Sequence, residues 1–124
     1  MKSKREFEDF LMMKKIILSR GNIEVEIVSD SMEPLIKTGE LIKVQNVEED
    51  LKLFDIIVFW RDGQFVSHFV WRFNGISHKT ITTRSLKDKG ANELPVEFEN
   101  VLGIIKDKKI SLYTKVIMRL FYGK

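Results

Sequence analysis

Asp55-Ile-Ile-Val-Phe-Trp-Arg61-Asp62-Gly63-Gln64-Phe-Val-Ser67-His68-Phe-Val-Trp-Arg-Phe73-Asn74-Gly75 holds two β-prone runs, Asp55 to Trp60 and Gln64 to Phe73. Each is followed by a dipeptide, Asp62-Gly63 or Asn74-Gly75, that tolerates positive φ at both central positions of a tight turn. Read as two-residue loops, these turns make Gln64 to Phe73 the shared strand of two hairpins. That register predicts His68 opposite Ile57 on one side and Ile81 on the other, in the middle of a sheet. Upstream, Ile23 to Val28 alternates strictly and Leu41 to Val44 is β-rich; downstream, Thr80 to Thr83 and Val101 to Ile105 add short strands. The middle of the chain therefore reads as a mostly β, coiled antiparallel domain.

The ends read as helices. Residues 1–21 predict an amphipathic helix with Phe7, Phe10, Leu11, Ile17 and Leu18 on roughly one face and Gly21 just beyond its end. Residues 108–124 predict a basic amphipathic helix in which Tyr113, Val116, Ile117, Leu120 and Phe121 form a stripe expected to pack on the β-domain of residues 22–107. A solvent-exposed stripe would instead favour peripheral membrane contact or docking on a partner through this helix. No run approaches the ~20 apolar residues of a bilayer span, and no export signal is evident, so a cytoplasmic protein, in part peripheral to the membrane, is expected.

The chain has 124 residues, 44% of them hydrophobic, which suits one domain with a real core. It has no cysteine and two histidines, which leaves disulfides, thiol catalysis and cysteine zinc sites aside. The net charge of +3 is unevenly placed. Residues 1–20 carry six basic and three acidic groups, residues 106–124 six and one, and the middle nine and fourteen. An acidic middle disfavours a nucleic-acid partner.

Chemistry concentrates in Ser29-Asp-Ser31-Met32-Glu-Pro34, which follows one predicted strand and precedes another. A serine held at a strand end presents its hydroxyl and backbone N–H to the same space. A covalent serine needs that arrangement, together with a base and donors for the developing oxyanion. A neutral imidazole, with an unperturbed pKa of roughly 6.5, can accept a proton near neutrality and so suits the part of such a base. On that value the rate is expected to fall below roughly pH 6. His78, just past the second turn, reads as a surface hairpin residue.

In this order and spacing the motifs resemble the type I signal peptidases and the related LexA-like self-cleaving repressor peptidases, over most of residues 23 to 105. Ser29-Asp-Ser31-Met32-Glu-Pro34 resembles their nucleophile box, Gly39-Glu40-Leu-Ile-Lys-Val44 their Gly-Asp-hydrophobic strand, and Phe54-Asp55-Ile-Ile-Val-Phe59 their Gly-Asp-Ile-Val-Val-Phe strand. Ser67-His68-Phe-Val-Trp-Arg72 resembles the His-Arg-Val block of the endoplasmic-reticulum and archaeal branch, where bacterial signal peptidases and LexA-like proteins place lysine. Thr83-Arg84, Glu93-Leu-Pro95-Val96 and Val101-Leu-Gly103 look like that branch's closing elements. Phe54 stands where the family has glycine, Phe69 where it has arginine, and Ser85-Leu86 where it has Gly-Asp.

The resemblance implies a fold of the signal peptidase type and a serine endopeptidase without metal or cofactor. Ser31 would be the nucleophile and His68 the general base, with either Asp88 or Glu93 as the third group that orients His68. Ser29 and the Ser31 N–H would serve the oxyanion. The substrate would be a leader-bearing protein or peptide bound as an extended strand. A self-cleaving regulatory peptidase and a catalytically silent peptide-binding module are the alternatives. The first fits less well, because only about 22 residues precede the first strand, too few for a helix-turn-helix domain.

Overall fold

The computed structural model describes residues 4–76, 79–88 and 90–123. His78 and Lys89 lie outside the described residues. Helix α1 (Lys4–Arg20) is followed by β1 (Asn22–Glu26), β2 (Leu41–Gln45), β3 (Ile56–Arg61), β4 (Gln64–Asn74), β5 (Thr80–Arg84) and β6 (Val96–Glu97). A 3-10 turn (Phe98–Asn100), β7 (Val101–Ile105) and helix α2 (Leu112–Phe121) complete the chain. The seven strands form one antiparallel sheet in the order β1-β2-β7-β3-β4-β5-β6.

The first hairpin forms as its turn chemistry dictates. Asp62 and Gly63 both take positive φ, 51° and 79°, Arg61 faces Gln64, and His68 faces Ile57. On the other side of β4 the predicted register fails. Asn74 pairs with Thr80, so five residues and not two connect β4 to β5, and a bulge interrupts the ladder between Val70 and Arg72. Ile81 consequently faces Phe73, and the pairing ends at Phe69 with Arg84, one residue short of His68. The short strand β6 was not legible in the sequence: two residues beside Pro95 carry too little pattern.

Both faces of the central strands are buried, which is why β3 and β4 read as nearly continuous apolar runs. Ile56, Val58, Trp60, Phe69 and Trp71 pack on one face with Phe10, Ile17, Met32 and Met118. Ile57, Phe59, Val70, Ile81 and Val101 pack on the other. Gly103 in β7 makes the sheet continuous, because a Cβ there would stand 2.3 Å from the carbonyl oxygen of Gln45 and 2.8 Å from a methyl of Val44.

Helix α1 ends as expected, with Gly21 in the left-handed region at φ 89° and its N–H bonded to the carbonyl of Ile17. Its buried seam is narrower than predicted. Phe10 and Ile17 are buried and Met13 packs against the core, whereas Phe7, Leu11 and Leu18 are exposed. At 100° per residue, Leu11 and Leu18 follow the seam residues by one position each and so turn away from it.

Helix α2 departs from expectation in orientation. Its N-cap is Ser111, whose Oγ accepts from Thr114 N–H at 3.2 Å. Met118 faces the body and is fully buried, while Tyr113, Val116, Leu120 and Phe121 face outward. The helix is also held by cations on aromatic rings: the Arg119 guanidinium lies 4.4 Å from the Trp71 centroid and 5.3 Å from that of Phe54. Arg84, 1% exposed, stacks 3.9 Å from the same Trp71 ring and donates to the Tyr122 carbonyl at the end of the helix. Among the described residues no helix is long and apolar enough to cross a membrane.

Candidate functional site

The chain leaves the β1 ladder after Glu26, so Val28, Ser29 and Asp30 run outside every strand pairing before turning at Ser31. The turn is anchored from below by Met32 and Ile36, both buried in the core, and closed by hydrogen bonds from Glu33 N–H to Asp30 O and Ile36 N–H to Met32 O. From the side it is held by the segment after β5. Lys87 N–H donates to the Ser31 carbonyl at 3.0 Å, and the Lys87 ammonium pairs with Asp30. That pairing holds the Asp30 carboxyl below its ordinary pKa.

Ser31 is half-buried, and its Oγ sits between two oxygens. It lies 3.2 Å from Ser29 Oγ and donates to the Ser67 carbonyl at 3.2 Å. Ser67 immediately precedes His68, so the Ser29–Pro34 segment meets β4 next to that histidine, in the gap left where β5 stops pairing. The Ser31 N–H has no hydrogen-bond partner among the described residues and remains free to donate.

His68 is 7% exposed and faces the core on the side of Val70 and Phe59, whose ring meets the imidazole edge-on at 5.7 Å. Burial, seconded by the nearby charge of Arg61, lowers its pKa from 6.5 to about 4. The imidazole is therefore neutral throughout the physiological range, and the protonation limit moves from the expected pH 6 toward pH 4. Its Nδ1 lies 3.3 Å from Thr83 Oγ1. Thr83 is a site residue to which sequence reasoning gave no role, because the predicted register placed Ile81 there. The bulge in β4 is what moves Thr83 into place.

The structure brings Ser29, Ser31 and the backbone of His68 together. Among the described residues, no hydrogen bond joins the Ser31 hydroxyl to the imidazole, and none joins His68 to Asp88 or Glu93. Asp88 is exposed, in a turn where its N–H donates to Ser85 Oγ at 3.0 Å. Glu93 is nearer in kind: its N–H donates to the Thr83 carbonyl at 3.0 Å, which sets its backbone alongside the threonine that contacts His68. Among the described residues no cluster of His, Asp and Glu is arranged to hold a metal ion. A cleft of about 1280 Å³, lined by Val47, Leu51, Phe73, Glu97 and Phe98 among others, does not include Ser31 or His68.

Phe54, where the resemblance expects glycine, has φ 71°, the left-handed conformation that glycine adopts without strain. Here an aromatic side chain takes it and stacks on Phe69 at 5.8 Å and edge-on to Trp71 at 5.8 Å. No family model matches the chain, and no curated protein matches it in sequence.

Proposed function

We propose that the chain is a serine endopeptidase resembling the signal peptidases, with Ser31 as nucleophile and His68 as general base, acting on a peptide bond of a leader-bearing protein or peptide. The observation that carries this reading is the Ser31 hydroxyl resting on the carbonyl next to a neutral, buried histidine. The reading requires the Ser31 hydroxyl to leave the Ser67 carbonyl for the imidazole, and catalytic hydrogen bonds commonly tighten only when substrate is bound. His68 would take the proton from Oγ as it attacks the scissile carbonyl and return it to the leaving amine. The unpaired Ser31 N–H and the Ser29 hydroxyl would receive the oxyanion. Thr83 Oγ1 would hold the ring in place. An extended substrate would lie along Val28 to Asp30, whose backbone is outside the sheet.

A second reading, a catalytically silent module that binds an extended peptide along the same segment, is favoured by the bond from Ser31 to Ser67 in place of one to His68. Turnover of a peptide library by the wild type, compared with Ser31→Ala and His68→Ala, separates the two. The peptidase reading expects a loss of at least about a hundredfold for each variant. Cleavage insensitive to both substitutions would sink it, and binding without cleavage by all three proteins would establish the silent module.

A further inference from the structure

The outward orientation of α2 leaves a feature that the peptidase reading does not use. Leu112, Tyr113, Leu120 and Phe121 are 76%, 77%, 71% and 70% exposed, and Val116 completes the strip between them. Around the helix axis Leu112, Tyr113, Val116 and Leu120 fall within about one quadrant, opposite buried Met118. No charged side chain interrupts them. Single exposed apolar residues are ordinary, but five large ones contiguous on ten residues of helix form a surface that water disfavours.

The charges around this strip are mostly basic: Asp107 is exposed between Lys106 and Lys109, but it is the last acidic residue of the sequence. Lys106 and Lys109 are exposed on the segment that leads into the helix. Lys115 and Arg119 flank the strip on its body side, their cationic groups over the Phe54 ring at 5.6 and 5.3 Å from its centroid. From there a long basic side chain can turn its charge outward while its stem stays on apolar surface. Lys108 is otherwise engaged, with Glu40 at 3.0 Å. An uncharged apolar face with a predominance of cations beside it complements an anionic lipid surface: the acyl region takes the strip and the phosphates take the cations. An acidic protein partner would match the rim alone, and a second copy of the helix would set basic rim against basic rim.

We propose that the outer face of α2 docks on anionic membranes, its apolar strip lying in the headgroup–acyl boundary and Lys106, Lys109, Lys115 and Arg119 meeting lipid phosphates. At ten residues the helix is about 15 Å long, so it lies on the bilayer and does not enter it end-on. This holds whether or not the chain is a peptidase.

Co-sedimentation of the full chain with phosphatidylcholine vesicles, and with vesicles of phosphatidylcholine and phosphatidylglycerol in equal parts, tests the assignment. Binding to the anionic vesicles should exceed binding to the neutral ones by at least about tenfold at low salt and fall as salt is added. Leu120→Glu should abolish binding; since the side chain is exposed, thermal unfolding should stay unchanged. The pair Lys106→Gln and Lys109→Gln, which leaves the apolar strip itself unchanged, should lower the anionic preference several-fold. The proposal is overturned by absence of binding, by equal binding to both vesicle types, or by binding indifferent to Leu120→Glu. Self-association in vesicle-free solution that Leu120→Glu dissolves would assign the face to a second copy and overturn it as well.

Discussion

Acidification should unfold this protein partly through one side chain, His68. In the folded state its imidazole stays neutral down to about pH 4, whereas in the unfolded chain it takes up a proton near 6.5. Between those values the unfolded chain binds more protons, so the free energy of unfolding falls as pH falls, and the contribution is gone once both states are protonated. A separation of two and a half units corresponds to about 3 kcal/mol in all, and most of it is already lost at roughly pH 4.5. Carboxylates add their own dependence, so the measurement is a difference. Urea unfolding of the wild type and of His68→Gln, whose amide does not titrate, should be compared from roughly pH 8 to pH 4.5. The wild type should lose about 2–3 kcal/mol more than the variant over that range. The same separation keeps any turnover by a His68 base constant well below pH 6 in the free protein. Parallel pH profiles of stability in the two proteins, or an imidazole that titrates near 6.5 by NMR in the folded state, would refute the reasoning.

Three other substitutions test how the site is supported. Thr83→Val leaves Nδ1 of a buried imidazole without its partner and should cost about 1–2 kcal/mol by chemical denaturation, with Thr83→Ser restoring most of it; equal stability of Val and Ser variants would remove Thr83 from its positioning role. Gly103→Ala drives a methyl group against the Gln45 carbonyl and should destabilise by roughly 3 kcal/mol or more, visible as a large fall in Tm; an unchanged Tm would disprove the close approach of β7 to β2. Phe54→Gly relieves a left-handed conformation worth about 1 kcal/mol but removes packing on Phe69 and Trp71, so a net loss of about 1–2 kcal/mol is expected. A gain in stability there would mean that the ring contributes less than its backbone conformation costs.

Much of the architecture was legible because it is encoded locally. Asp62-Gly63 fixes a hairpin through the φ values it permits, and the pairing of His68 with Ile57 follows by counting. The strict alternation from Ile23 marks a strand, although the ladder ends at Glu26, where the chain turns toward Ser31. The candidate serine and histidine were legible by order and spacing, and the sheet brings their backbones together. The contact of His68 with Thr83 was not, since it depends on a bulge at Trp71 and a five-residue connection that no dipeptide signals. Trp71, the residue at the bulge, carries the guanidinium groups of Arg84 and Arg119 on its ring.

The two helices make the same division. The sequence alone determined that each is amphipathic and where the first one stops, at Gly21, because periodicity and left-handed backbone are properties of neighbouring residues. Only the tertiary structure decided which side of α2 faces inward. Periodicity defines a stripe but not its partner, and here Met118, Arg119 on Trp71 and the Arg84 bond to Tyr122 set the rotation of the helix against the stripe's own hydrophobicity. The protonation of His68 was settled in the same way. Its chemistry belongs to the residue, but its low pKa belongs to the burial and the Arg61 charge that the closed sheet places around it.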